Sequence, residues 1–186
     1  FADAMMDKPV SYYAIEILYW CGLRMGELLA LTPADFNFEK KKLRINKSYQ
    51  RLEGKDVITD PKTPKSNRTI VMSDFLAVEM ENFISSLYGI RDGDRIFTIS
   101  KSYLHHEMDR GVKLAGVKKI RIHGLRHSHI SLLINLGFSA LAIGERVGHE
   151  AVDITYHYAH LFPTVQTDMA AQLETEREAL VNVRKE

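Results

Sequence analysis

The chain has 186 residues, 45% of them hydrophobic, and 25 lysines and arginines against 24 aspartates and glutamates give a formal net charge of +1. Plentiful apolar residues and balanced charge exclude a disordered chain, and apolar runs far shorter than about 18 residues exclude a membrane span. The start of the chain lacks a signal-peptide pattern, and its single cysteine, Cys21, excludes an internal disulfide, so we expect one domain with a short appendage in a reducing cytosol.

The predicted elements form an α+β fold that is mainly helical, with about seven helices and a small three-stranded antiparallel sheet in the N-terminal half. Apolar residues at helical spacing predict a helix over 12–23 that breaks at Gly22, then a short helix over 24–31. Alternating apolar residues between positions 35 and 72, separated by turns, predict the sheet. The remaining helices are predicted over 73–88, 101–115, 123–136, 140–147, 153–159 and, after Pro163, 168–183.

The charge is unevenly distributed along the chain. Residues 40–68 have a net charge of +7 and residues 110–149 of +6, whereas each of the other three segments has −4. Two basic blocks can build one positive face on a nearly neutral molecule, which is typical of a phosphate-binding surface. The lysine triplet at 40–42 can alternatively serve only to solubilise a turn.

The first candidate motif is Gly-Leu-Arg-Met-Gly-Glu-Leu at 22–28, which puts Arg24 at the junction of two apolar helices. A buried guanidinium is costly unless it is paired, and Glu27 lies one helical turn further on. The pair therefore either holds Arg24 for a functional site or is an ordinary surface ion pair.

The second motif is His-Gly-Leu-Arg-His-Ser-His at 123–129. His123 and Arg126 share a helix face, and imidazole and guanidinium donors suit the oxygens of a phosphate. His123 and His127 also have the spacing of helical zinc ligands. Because Gly124 stands where that zinc motif has its glutamate, we expect no metal site.

The remaining candidates are a tyrosine-rich segment and a pair of lysines. His149 precedes the segment Thr-Tyr-His-Tyr-Ala-His at 155–160. A phenol acts as a covalent nucleophile where nearby cations stabilise its phenoxide, although ordinary packing explains either tyrosine taken alone. Residues 60–68 are predicted as a hairpin tip that bears Lys62 and Lys65.

In this order the motifs resemble the catalytic domain of a tyrosine recombinase, from the phage and transposon integrase family. The resemblance runs from about residue 12 to 160. In that family the nucleophilic tyrosine normally falls nine residues after the histidine of a Gly-His pair, and this count from His149 reaches Tyr158 rather than Tyr156. The resemblance assigns catalysis to six residues without a departure at any motif position: Arg24, Lys62, His123, Arg126, His149 and Tyr158.

The resemblance implies that DNA strands are cleaved and rejoined through a 3′-phosphotyrosyl intermediate, with no metal, ATP or other cofactor. The two arginines and two histidines would hold the phosphate, and Tyr158 would attack it. His123 would take the phenol proton, alone or shared with His149. Lys62 would protonate the leaving 5′ oxygen, with Lys65 as the alternative acid.

The resemblance also implies contacts around this site. Glu27 would orient Arg24 from behind. Contacts with DNA phosphates are expected from three basic residues of the two positive blocks: Lys65, Arg68 and Arg121.

We expect residues 1–163 to form the catalytic domain and 164–186 an amphipathic tail helix, with the family's core-binding and arm-binding domains absent from this chain. The expected partners are double-stranded recombination sites in a prokaryotic cytoplasm, without a membrane or nucleotide ligand. The tail would assemble a tetramer on DNA by packing on a neighbouring subunit, or would pack on its own domain. A type IB topoisomerase, a non-catalytic DNA-binding module and a histidine metal hydrolase are the alternatives.

Overall fold

A mainly helical α+β fold, as predicted, is present in the computed structural model. Six α-helices lie in the described part of the chain. They are α1 (Pro9–Cys21), α2 (Met25–Ala30), α3 (Asp74–Ser86), α4 (Lys101–Ala115), α5 (Ile122–Asn135) and α6 (Ala140–Val147). The structure describes residues 1–61, 63–149, 153, 157–158, 170–171, 173–175 and 177.

Serine and glycine mark where two of these helices begin and end. The hydroxyl of Ser100 accepts a hydrogen bond from the backbone of Tyr103 at the start of α4, and α4 ends at Gly116 with φ of 62°. Ser139 and Gly148 occupy the same positions around α6. A serine oxygen satisfies a free N–H of the first turn, and glycine adopts the left-handed conformation that closes the last one.

The strands form two separate antiparallel sheets. The predicted three-stranded sheet is present in the order β1-β2-β5, with Leu43 opposite Ile70. A second, two-stranded hairpin is formed by β3 and β4, and its turn residues Glu53 and Gly54 both have positive φ, as tight hairpin turns require. The strands are β1 (Phe36–Asn37), β2 (Lys42–Ile45), β3 (Ser48–Leu52), β4 (Lys55–Thr59) and β5 (Arg68–Val71).

The prediction that residues 60–68 form a hairpin tip is wrong. This segment joins β4 to β5, which belong to different sheets, and contains a 3-10 turn at Pro64–Ser66. Proline has no backbone N–H for a strand ladder, and the hydroxyls of Thr63 and Ser66 are hydrogen-bonded to each other at 2.9 Å. Local bonding thus replaces strand pairing here.

The hydrophobic residues form two clusters on either side of α5. The larger cluster lies between α1, α2, α3, α4 and the three-stranded sheet. The smaller one consists of Tyr158 and four apolar residues of α5 and α6: Ile130, Ile134, Ile143 and Val147. Because α5 contributes to both clusters, its polar residues at 123–127 lie where the two meet.

The last part of the chain is described only at single positions. The predicted helices over 153–159 and 168–183 fall mostly outside the described residues, and so does the predicted boundary at 163. In the described part of the chain, no helix combines the length and the apolar character that crossing a bilayer requires.

Candidate active site

Arg24 is positioned by a sharp turn between α1 and α2. Gly22 has φ of +63°, and a Cβ there would lie 2.6 Å from Cδ2 of His129. Only glycine combines that conformation with such a close approach. The turn leaves Arg24 as the extended residue before α2, with about a third of its side chain exposed (35%).

The carboxylate of Glu27 is the anchor of this region. It accepts hydrogen bonds from the backbone N–H of Arg24 at 2.9 Å and from Nη1 of Arg24 at 2.8 Å. Both Nη atoms of Arg68 donate to it as well, each at 3.0 Å. Burial opposes ionisation of Glu27, but the hydrogen bonds and charges of the two arginines outweigh it and hold its pKa below the usual value. Glu27 is therefore an ionised carboxylate that holds Arg24 in place.

Arg68 was predicted to contact a DNA phosphate, but the structure buries its guanidinium inside the protein. Its residue is only 8% exposed, and besides Glu27 it donates to the backbone carbonyls of Ser66 at 3.1 Å and Arg146 at 2.9 Å. All of these acceptors belong to the protein, so the guanidinium is turned inward. The predicted phosphate contact of Arg68 is therefore wrong. A cation taken out of water needs partners of opposite charge or hydrogen-bond acceptors, and Arg68 finds them within the protein.

Arg126 joins the ends of α1 and α6. Its residue is 1% exposed, and its Nη atoms donate to the carbonyls of Gly22 and Val147. Its buried Nε has no hydrogen-bond partner in the described part of the chain. Burial and the neighbouring charge of Arg24 lower the pKa of Arg126 to about 9, which leaves it cationic at neutral pH.

His149 follows the left-handed Gly148 that ends α6. Nη2 of Arg24 donates to the carbonyl of Gly148 at 3.3 Å, so the first arginine motif and the Gly-His motif are in contact. Burial and the charges of Arg126 and Arg24 lower the pKa of His149 to about 4. The half-buried imidazole is therefore neutral at pH 7.

His123 lies one turn before Arg126 on α5 and is exposed to solvent. Burial of its ring, His127 and the two arginines at 24 and 126 lower the pKa of His123. Its ring meets that of His127 edge-on, with 4.7 Å between the centroids. A neutral imidazole is thus available at the mouth of the site.

Tyr158 lies with its ring in the smaller apolar cluster and its hydroxyl hydrogen-bonded to Nδ1 of His127. The residue is 7% exposed. Burial raises the pKa of Tyr158, and the positive charge of Arg126 acts in the opposite direction. The phenol is accordingly protonated and close enough to Arg126 to be affected by its charge.

The structure thus brings together five of the six predicted catalytic residues, with Glu27 behind them. The sixth, Lys62, lies outside the described residues. Lys65 is exposed on the 3-10 turn and Arg121 is exposed at the start of α5, so both remain predicted phosphate contacts. Within the described ranges, no group of three or more histidines, cysteines or acidic residues is arranged to hold a metal ion.

Two contacts of the site were not predicted from the sequence: that of Arg68 with Glu27 and that of His127 with Tyr158. Arg68 was predicted to face DNA, and His127 was considered only as a zinc ligand. The signal for His127 was its position next to Arg126 and one turn from His123. No signal showed that Arg68 reaches Glu27, because the two residues are 41 positions apart in the sequence.

Comparison with known proteins identifies the family to which this arrangement belongs. The model of the phage integrase family matches residues 2–164. The chain therefore belongs to the phage integrase family, as its motifs predicted.

Individual relatives agree with this assignment. The ICEBs1 integrase of Bacillus subtilis is 31% identical over 186 residues, which cover 92% of this chain and 50% of that protein. A XerC-like tyrosine recombinase of Caldanaerobacter subterraneus is 26% identical, with 84% and 47% covered. The chain thus spans about half the length of the curated relatives it matches.

The solved structures with a similar fold include recombinases bound to DNA. The Tn1549 transposon integrase in complex with transposon right end DNA is 26% identical and superposes with a TM-score of 0.70, covering 91% of this chain and 59% of that one.

Proposed function

We propose that this chain catalyses the breaking and rejoining of DNA strands in site-specific recombination, through a 3′-phosphotyrosyl intermediate. The observation that carries the proposal is the convergence of Arg24, His123, Arg126, His149 and Tyr158 from four separate parts of the chain. A site-specific recombinase that supports integration or excision of a mobile element is favoured over a type IB topoisomerase, because the relatives named above are integrases and recombinases.

The two arginines supply the positive charge that a phosphodiester requires. Negative charge accumulates on the non-bridging oxygens in the transition state, and preorganised guanidinium donors stabilise it there. Arg24 is held ionised and oriented by Glu27, and Nε of Arg126 is a buried donor to which a phosphate oxygen can bind. Neutral His123 and His149 add hydrogen bonds without needing a counterion.

Tyr158 supplies the nucleophile and Lys62 the proton for the leaving group. The phenol attacks phosphorus, the 5′ oxygen departs, and the bond energy is retained in the phosphotyrosyl link. A 5′-hydroxyl of a partner strand can then reverse the step, so neither ATP nor another cofactor takes part. Lys65 is the alternative acid.

A leaving group that needs no proton decides between the lysines. On DNA with sulfur in place of the 5′-bridging oxygen, cleavage by Lys62→Ala is expected to recover, because a thiolate leaves unprotonated. If sulfur instead restores Lys65→Ala and leaves Lys62→Ala slow, Lys65 is the acid.

The covalent adduct itself tests the proposed function. The protein is incubated with a pool of nicked duplexes of random sequence, in which cleavage releases a short strand that cannot be rejoined. A protein–DNA adduct resistant to denaturant is expected with and without a metal chelator, and Tyr158→Phe is expected to abolish it. No adduct from the unmodified protein, or formation only with divalent metal, would contradict the proposal and favour the DNA-binding module or the hydrolase.

Domain organisation and partners complete the proposal. Residues 1–163 form the catalytic domain, and the amphipathic segment 164–186 packs on a neighbouring subunit, which supports a tetramer on double-stranded recombination sites. The Tn1549 integrase and the similar fold support DNA as the partner.

A further inference from the structure

The hydroxyl of Tyr158 has a defined partner in the resting protein, and that partner is His127. Nδ1 of His127 and Oη of Tyr158 are hydrogen-bonded, and the two ring centroids are 5.9 Å apart. The tyrosine ring is held by Ile130, Ile143 and their neighbours in the smaller apolar cluster. The nucleophilic oxygen therefore lies at the polar edge of that cluster, against an imidazole from α5.

The direction of this hydrogen bond follows from the protonation states of the two groups. Burial raises the pKa of Tyr158, so the phenol keeps its proton at neutral pH. Burial and the charges of Arg126 and His157 lower the pKa of His127, so its imidazole is neutral. A neutral imidazole has one nitrogen that can accept, and we assign the tautomer of His127 with its proton on Nε2, because the phenol, which keeps its proton, then has an acceptor at Nδ1. The phenol donates and Nδ1 accepts.

His123 is less well placed to take this proton. Among the described residues, the imidazole in contact with Oη is that of His127, whereas His123 meets the ring of His127 edge-on at 4.7 Å. His123 is exposed to solvent, where a phosphate oxygen of bound DNA can reach it. The two histidines are therefore placed for different roles, His123 for binding the phosphate and His127 for contact with the nucleophilic oxygen.

We propose that His127 is the general base that accepts the proton of Tyr158 as the phenol attacks DNA, an inference that rests on the proposed function. The O–H bond of Tyr158 breaks and an N–H bond forms at Nδ1 of His127, while the new P–Oη bond replaces P–O5′. The departing oxygen takes its proton from the acid assigned to Lys62. In rejoining, the 5′-hydroxyl returns a proton to that acid, and the imidazolium of His127 returns one to Oη.

Two substitutions separate proton transfer from positioning. His127→Ala removes the contact, whereas His127→Asn keeps a hydrogen-bond acceptor that cannot take up the proton. Both variants are expected to slow formation of the adduct by about 10²- to 10⁴-fold, the usual contribution of a general base. His105→Ala removes an exposed histidine of α4 and is expected to leave the rate unchanged. Thermal unfolding of each variant checks that the fold is retained.

The pH profile is the readout that a merely structural role would not change. The unmodified protein is expected to cleave at a nearly constant rate between pH 7 and 8, below the pKa of about 9 of Arg126, because neutral His127 is already the acceptor. In both His127 variants the rate is expected to climb across this range, since the phenol must ionise by itself. Sulfur at the 5′-bridging position is expected to leave both variants slow, because it replaces the acid and not the base.

Three results would overturn the assignment of His127. They are an unmodified rate in His127→Asn, a uniform loss of rate with an unchanged pH profile, and rescue of either variant by the sulfur substrate. Each is distinct from failure of the proposed function, in which the unmodified protein would form no adduct at all.

Discussion

Glu27 shows at the level of single residues how a buried carboxylate can organise a cationic site. It accepts hydrogen bonds from Arg24 on one side and Arg68 on the other. Arg68 also donates to the carbonyl of Arg146, which ties β5 to α6. Through Glu27, the position of Arg24 therefore depends on Arg68, which does not itself face the proposed DNA site.

Removing one member of this buried pair is expected to be costly. Glu27→Ala and Arg68→Ala should each lower the free energy of unfolding by about 3–5 kcal/mol, because each breaks a buried ion pair by removing one partner. The double variant should lose less than the sum of the two, as coupled partners do. Urea unfolding of the four proteins measures both effects.

An exposed ion pair on the same molecule provides the control for these Glu27 and Arg68 variants. Arg91→Ala disrupts the exposed ion pair with Asp94 and is expected to leave the urea midpoint unchanged. If Glu27→Ala and Arg68→Ala behave additively, or no worse than Arg91→Ala, Glu27 is not the anchor described here.

The same carboxylate makes stability depend on pH in a definite direction. The pKa of Glu27 is lower in the folded chain than the ordinary value of 4.5. Its contribution is therefore fully present above pH 4.5 and is lost as the pH falls through the lower folded-state value. The half-buried imidazole of His149, with its pKa of about 4 in the folded chain against 6.5, adds a loss of stability as the pH falls from 6.5 to 4.

At the level of elements, glycines at helix ends bring the proposed catalytic motifs together. Gly22 ends α1 beside His129, and Gly148 ends α6, where an added Cβ would lie 3.0 Å from the carbonyl of Lys65. Both turns also present carbonyls to the arginines of the site. These glycines therefore have a packing role in addition to their backbone conformation.

Gly22→Ala is expected to reduce both stability and DNA cleavage. The left-handed backbone alone costs an alanine about 1–2 kcal/mol, and the Cβ contact with His129 at 2.6 Å adds to it. Gly116→Ala is a matched control, with φ of +62° and no atom within 4 Å of the added Cβ. Similar losses of melting temperature in the two variants would show that the close approach at Gly22 has no effect.

The tail is the other element with a testable role. Deletion of residues 164–186 is expected to leave cleavage of a single DNA site intact while reducing the pairing of two sites, because the proposed tail packs between subunits. Gel-shift and cleavage assays on one-site and two-site DNA separate these effects. Unchanged pairing would favour a tail that packs on its own domain.

Sequence periodicity predicted the helices better than the strands, for physical reasons. Helix α4 was predicted with its observed ends because its signals, Ser100 and Gly116, are local. Residues 60–68 were assigned wrongly, because the strand that follows them, β5, pairs with the distant β2 and not with β4. Proline at 61 and 64 was the local sign that this segment does not continue a ladder.

At the level of the whole molecule, the net charge of a segment does not show how many of its charged side chains face the proposed DNA site. The block at 40–68 contains Arg68, whose guanidinium is buried and bonded to protein atoms. Lys119 is paired with Asp109. The positive surface is therefore smaller than net charges of +7 and +6 suggest.

The order and spacing of motifs predicted most of the site, whereas contacts between distant elements could not be predicted. Counting from His149 selected Tyr158, and the described site has that tyrosine beside Arg126. The roles of Arg68 and His127 depend on which side chains meet across the fold. A single sequence carries no direct signal of such contacts.

The proposed strand-cleavage chemistry is tested most directly by identifying the amino acid that becomes attached to DNA. The adduct trapped on nicked DNA is digested with nuclease and protease, and the modified peptide is sequenced by mass spectrometry. A nucleotide linked through its 3′ phosphate to Tyr158 is expected. Attachment at Tyr156, at another residue, or through a 5′ phosphate would contradict the proposed chemistry.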